Sequence, residues 1–326
     1  MGKNGSPTLL GGQAVIEGVM MRFGGSVATA VRRADGSITV KKESYAPLAE
    51  RHRWIGLPLL RGAVGLIEML AIGIRALNFS AEAAMEDAEP EKPKKDGSGK
   101  KHNAALGLTL ALSLLAGVGL FFALPLWVAT AAFSVDQDPL WFNLAAGGVR
   151  VAIFLTYLIL LSMMKDIHRL FQYHGAEHKT VFAMEKGGEM TLASCQAQTR
   201  FHPRCGTSFL LVVMVVAILL FALLDAFLIW QLGTLSLALR LATHLPLLPV
   251  VMGVSYEVIR FSARHVDSPL GRWIVLPGLW LQRVTTKEPD ESQLEVAMAA
   301  LRAALGDAPS SRAVETAVSS QAISVN

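Results

Sequence analysis

Charged residues are scarce in this chain. Asp, Glu, Lys and Arg make up 17% of 326 residues, against 52% for hydrophobic types. That shortage excludes an average soluble protein, while the apolar stretches are too interrupted for a chain that is membrane throughout, so a mixed architecture is expected. Cysteine is nearly absent, with Cys195 and Cys205 alone. Both fall in a segment predicted to face the cytoplasm, where thiols stay reduced, and no disulfide between them is expected. A cleavable signal peptide is not expected either, because Met1 to Leu10 is short, polar and followed by glycines. No internal repeat is found.

Long apolar runs are what the chain does have. A helix needs about 20 apolar residues to cross a bilayer core, and four stretches qualify: 104–133, 144–164, 206–230 and 232–258. The fourth is interrupted by Arg240, His244, Pro246 and Pro249, and fits as the return arm of a hairpin turning near Gly233. Lys92, Lys94, Lys95, Lys100 and Lys101 precede the first run, and Lys165, Arg169, Lys179, Lys186, Arg200 and Arg204 follow the second. The loop Ser134 to Trp141 carries only Asp136 and Asp138. The positive-inside rule therefore predicts both termini in the cytoplasm. Positive-inside loops and anionic lipid heads account for the net charge of +4 without any nucleic acid.

The fold class expected is mainly α and polytopic, with about four transmembrane helices, an N-terminal amphipathic or interfacial helix and a small N-terminal β unit. The β unit spans 11–50, with Ser26 to Arg32 and Ser37 to Lys42 as short strands flanking an Ala34-Asp35-Gly36 turn. Residues 54–80 read as a helix whose Arg61, Glu68 and Arg75 recur every seven residues, suiting the interface better than a span. Residues 81–103 read as a flexible linker and 306–326 as a disordered tail. Between them, 165–205 is a cytoplasmic loop and 259–305 a cytoplasmic region in which 272–282 is apolar enough to dip into the interface.

The sharpest chemical signal is His174-Gly175-Ala176-Glu177-His178. On a helix continuing from the second span, His174, Glu177 and His178 share a face. Two imidazoles one turn apart can grip a divalent ion, with a carboxylate as ligand or base. The bland alternative is a hydrogen-bonded histidine pair, with Glu177 paired to Lys179 or Arg169. A second cluster, His202-Pro203-Arg204-Cys205, precedes the third span at the same membrane surface. His202 and Cys205 would complete a coordination sphere suited to zinc. Alternatively Cys205, near a helix start beside Arg204, is a low-pKa nucleophile, or simply a small packed residue. Gln13, Glu17 and Arg22 are polar among apolar neighbours in a glycine-rich stretch that lacks the spacing of a nucleotide loop; on its own that stretch reads as a structured turn. Asp225 and Arg240 flank the hairpin turn at similar depth and are expected to pair. Glu257 lies near the cytoplasmic end of the fourth span, at a depth that suits a further ligand or base beside the histidines.

These residues resemble a known family. Gly11 to Arg22, Leu60-Arg61-Gly62, His174 to Lys179, His202 to Thr207, Ser255-Tyr256-Glu257 and Thr285 to Pro289 occur in the order found in the YqhQ-like bacterial membrane proteins, a domain-of-unknown-function family described as predicted metal-dependent enzymes. The likeness runs from residue 11 to about 305. It implies a metal, groups these motifs at one site, and brings Gln13 and Glu17 into it. The resulting expectation is an enzyme of the bacterial inner membrane, hydrolytic, with zinc held by His174, His178, His202 and Cys205. Glu177 and Glu17 are then the catalytic carboxylates, and Gln13, Arg22, Arg204 and Glu257 further polar site residues. Beyond the lipid bilayer its partner is a substrate, lipid-linked, peptide or soluble. Rivals are an assembly factor for membrane proteins, a small transporter, or a protein pinned by a structural zinc.

Overall fold

The computed structural model describes residues 10–48, 52–88, 100–132, 139–187, 189–265 and 268–306. Strands β1 (Leu10–Val15), β2 (Gly18–Phe23), β3 (Ser26–Arg32) and β4 (Ile38–Ser44) form an antiparallel meander in chain order. The expected β unit is thus larger than its two anticipated strands, and the glycine-rich stretch that read as a turn is the β1–β2 hairpin. Glu17 sits in its tight turn at φ 51. Side chains alternate across the sheet, but both faces of β2 and β3 are covered. Neither strand therefore reads apolar on one side and polar on the other.

The two covers are helices from distant parts of the chain. Helix α1 (Leu60–Ala88) packs Ile72, Ala76 and Ala83 against Val15, Met20, Val27 and Val31. It begins at Leu60 rather than residue 54, where only a short 3₁₀ turn (Arg53–Gly56) precedes it. The other face, with Val19, Met21, Ala28 and Ala30, packs against α5 (Lys165–Glu185) and α10 (Glu291–Leu305). Near its start, α1 crosses α8 (Leu237–Arg264) closely: a Cβ on Gly62 would lie 2.6 Å from Tyr256.

Among the described residues, four helices are long and apolar enough to cross a membrane, over Ala111–Ala131, Leu140–Ser162, Gly206–Leu232 and Ala238–Ser262. The chain is a mainly helical, polytopic membrane protein. The first span joins α2 (Lys100–Val118) to α3 (Leu124–Ala132) through a π turn at Gly119–Ala123. Then come α4 (Pro139–Ser162), α7 (Gly206–Leu232) and α8. At 27 residues α7 is about 40 Å long. Helix α9 (Pro269–Thr285) carries exposed Trp273 and Trp280, the residue type favoured at membrane interfaces.

Several boundaries differ from expectation. The supposed linker 81–103 is helical at both ends, with 81–88 completing α1 and 100–103 opening α2; residues 89–99 lie outside the described set, as do Asp136, Asp138 and 307–326 of the expected tail. The second span does not continue into the histidine helix. Met164 is extended, with ψ 133, and α5 starts afresh at Lys165. The segment 165–205 is accordingly not a loop but α5 and the short α6 (Leu192–Gln196), built into the sheet's core.

Inside the membrane region, Asp225 and Arg240 do pair, at 2.6 Å. Asn143 donates to the same carboxylate at 2.8 Å, and the His244 ring nitrogen Nε2 is 3.0 Å from its other oxygen. All four are buried, so a charge that would be costly in hydrocarbon is shared among helices α4, α7 and α8. Arg150, a further charged residue within the spans, donates from Nε to the Phe121 carbonyl of the π turn at 2.8 Å.

Candidate metal centre

On α5, residues three and four apart lie on one face, which brings the His174 and His178 rings to 4.5 Å. Each ring is held by a backbone carbonyl. His174 Nδ1 lies 2.8 Å from the Thr285 oxygen at the end of α9, and His178 Nδ1 lies 2.5 Å from the Arg200 oxygen. A carbonyl only accepts, so both Nδ1 atoms carry the proton and both Nε2 atoms point inward. Thr285 is a natural partner because the last carbonyls of a helix have no intrahelical donor.

Into the same space comes Cys205, the residue before α7. Its Sγ is 3.3 Å from His174 Nε2 and 3.1 Å from Thr207 Oγ1. The ligand atoms of His174, His178 and Cys205 all lie within 4.8 Å of one another. Burial opposes charge on both members of the sulfur–imidazole pair, yet each stabilises the other. The Cys205 thiolate pushes His174 up to about 9, and the imidazolium holds the thiol well below its usual value. The helix start adds to this preference for thiolate. Glu177, also buried, puts Oε2 3.4 Å from His178 Nε2, with its chain beneath β1, where a Cβ on Gly12 would be 2.8 Å from Glu177 Cγ.

The loop and strap that complete this geometry are tightly fixed. Gln282, fully buried on α9, accepts from His202 N at 2.7 Å and donates to His202 O at 2.8 Å and Ser208 Oγ at 2.9 Å. The strap after α9 crosses α5 where only glycine fits: a Cβ on Gly175 would lie 2.1 Å from Lys287 O. Lys287 N donates to Phe171 O at 2.8 Å, and buried Lys179 donates to Gln196 O at 3.1 Å and to the Glu288 carboxylate.

Other expected site residues stand elsewhere. His202 is adjacent, its ring 5.5 Å from that of His178, but its Nδ1 accepts from Arg204 N at 3.2 Å and its Nε2 faces Glu185 at 3.5 Å. Burial and neighbouring His178 push its pKa down to about 4, so the ring is neutral. Gln13 and Arg22 lie on the α1 face of the sheet by strand alternation, Gln13 against Gly73 and Arg22 donating to Met69 Sδ at 3.0 Å. Glu17 pairs with Arg169, Nη2 to Oε2 being 2.6 Å, and accepts from Tyr173 at 3.2 Å. Arg204 pairs with Glu185. Glu257 is turned instead to Arg61, accepting from its Nε and Nη2 at 2.7 and 2.6 Å. Gln282 and Glu185 were not anticipated. The signal for Gln282 was available, a lone amide in the apolar 272–282 stretch.

The family described as "Protein of unknown function (DUF1385)" matches residues 57–307. The chain belongs to the DUF1385 family. That match spans every residue of the His/Cys cluster and the strap. The "Uncharacterized protein YqhQ" of Bacillus subtilis (strain 168) is 36% identical over 307 residues, covering 91% of this chain and 92% of its own length. No solved structure matches. Membership of DUF1385 therefore extends to the full membrane architecture, and the family's description carries no reaction.

Proposed function

We propose that the chain is a membrane-embedded, metal-dependent hydrolase whose centre is His174, His178 and Cys205, on the cytoplasmic side of the inner membrane. The observation that carries this reading is the pair of Nδ1–carbonyl bonds, which leave two imidazole Nε2 atoms converging with a thiol within 4.8 Å. Ligating histidines are commonly oriented in this way by a backbone acceptor. Two histidines and a thiolate suit zinc. Bound there, the ion would supply Lewis-acid polarisation of a carbonyl or phosphoryl oxygen. Glu177 is near enough to take the proton of an attacking water, and its burial keeps competing water away. Thr285, Arg200 and Gln282 act through the ligands by fixing ring and loop positions. The basic residues of α5 and of the 200–204 loop support the cytoplasmic side.

The test is metal content by mass spectrometry on the detergent-purified full chain. Near-stoichiometric zinc is expected in the wild type, lost in His174→Ala/His178→Ala and reduced in Cys205→Ala, each confirmed folded. No metal after exposure to zinc, manganese and iron would overturn the reading. A structural zinc is the second reading, favoured by the burial of His178 and Cys205; metal removal would then lower thermal stability in a protein with no hydrolytic activity to lose.

A further inference from the structure

A cavity of about 250 Å³ lies beside this centre, between the end of α5, the start of α7, the end of α8 and α9. Its apolar wall is Val212, Ile259 and Ile274. Val212 is six residues into the span that begins at Gly206, and Ile259 is three residues from the end of the span that closes at Ser262. The cavity therefore straddles the edge of the hydrocarbon layer, the level at which a lipid changes from chain to headgroup. Its outer wall is α9, whose Trp273 and Trp280 are 73% and 61% exposed on the far side. That aromatic belt marks the same interface. The volume falls below the roughly 300–1,000 Å³ of sites that enclose a whole drug-sized ligand. It fits a headgroup and the first part of a chain whose remainder stays in the bilayer.

The polar end selects the headgroup. Among the described residues, the charged lining residues are Arg204 and Glu185, paired with each other and with side chains 39% and 30% exposed. An anionic head would meet the Glu185 carboxylate unfavourably, whereas a zwitterion can insert its phosphate at Arg204 and its cation at Glu185. Guanidinium is well matched to phosphate oxygens, and the positive end of α7 begins at the same place. Among the described residues, none of the lining side chains is aromatic, so none of them cages a quaternary ammonium. A primary ammonium can instead donate hydrogen bonds to Glu185. Behind Glu185, the buried His202 Nε2 has no hydrogen-bond partner among the described residues and faces that carboxylate at 3.5 Å. We propose that this cavity is a lipid site that holds a phosphoethanolamine headgroup, entering sideways from the bilayer.

The experiment is native mass spectrometry of the full chain in detergent, titrated separately with phosphatidylethanolamine, phosphatidylglycerol and phosphatidylcholine of identical acyl chains. Wild type is expected to retain phosphatidylethanolamine on the order of tenfold more tightly than the other two. Arg204→Gln and Glu185→Gln should each lose most of that preference. Ile274→Trp, which fills the wall without touching the charged pair, should abolish retention while the unfolding temperature stays near wild type. Equal retention of all three lipids, or unchanged retention in a folded Ile274→Trp, would overturn the proposal. The readout is lipid, so the outcome is independent of whether zinc binds.

Discussion

Gly175 on α5 and Lys287 in the strap after α9 approach so closely that a Cβ on the first would lie 2.1 Å from the carbonyl oxygen of the second. Immediately before the strap, the carbonyl of Thr285, the last residue of α9, holds His174. Gly175→Ala must therefore push backbone away from backbone, and the movement is transmitted to His174, the proposed metal ligand. The expected cost is about 1–3 kcal/mol of stability, together with a 10- to 100-fold weaker hold on zinc. Chemical unfolding and a zinc competition titration measure the two. Gly65→Ala on α1 is the control, because nothing lies within 4 Å of its Cβ position. It should be neutral or slightly stabilising.

Gln282 satisfies both backbone polar groups of His202 from a fully buried position. Gln282→Leu has similar bulk but leaves that N–H and carbonyl without these partners. An unsatisfied buried group costs about 1–3 kcal/mol, so a clear fall in unfolding temperature is expected. The loop also sets Cys205, and zinc retention should weaken in parallel. A variant with wild-type stability would mean that water replaces the amide.

What was legible beforehand followed physical range. The four spans rest on run length, a local property, and their number matched. The shared face of His174 and His178 follows from helical spacing alone. Cys205 was assigned to the same membrane surface from its position before a span. The alternation of β1 and β2 was hidden because both faces of the sheet are covered, which removes the polar side that alternation needs. The same alternation turns Gln13 and Arg22 away from the histidines while leaving Gly12 above Glu177, a distinction set by register rather than composition. Glu257 turns to Arg61 rather than following its depth toward the histidines, because depth in the membrane does not fix direction around a helix axis. Its partner Arg61 comes from α1, almost 200 residues away, and no local pattern announces such contacts.

Asp225 is shared by Arg240, Asn143 and His244 within the spans. Asp225→Leu removes the carboxylate to which the buried Arg240 guanidinium donates. Breaking a buried pair on one side typically costs about 3–5 kcal/mol. The variant is expected to express poorly or unfold well below wild type in detergent. Asp225→Asn keeps the shape and part of the hydrogen bonding, so it should fall between the two. Metal content of whatever folds should be unchanged, since the His/Cys centre lies beyond the opposite end of α7. Loss of metal in folded Asp225→Asn would show that the two polar clusters are coupled.

Asp290 caps α10, the helix that covers one face of the sheet. Its Oδ1 accepts from Gln293 N at 2.9 Å and Ser292 Oγ at 2.7 Å. Burial pushes the carboxyl up, but these bonds outweigh it and hold the group below its ordinary value of 3.8. A depressed carboxylate contributes stability that is fully present above the unfolded value and disappears as pH falls through the folded one. Asparagine caps nearly as well and does not titrate. Wild type should therefore exceed Asp290→Asn modestly at neutral pH, with the gap closing below about pH 4. Asp290→Ala should lose about 1 kcal/mol at neutral pH. Thermal unfolding of the three proteins across pH separates these effects, because the remaining carboxylates are common to all. A gap between wild type and Asp290→Asn that widened in acid would reverse the sign and assign the cap's strength to the protonated form.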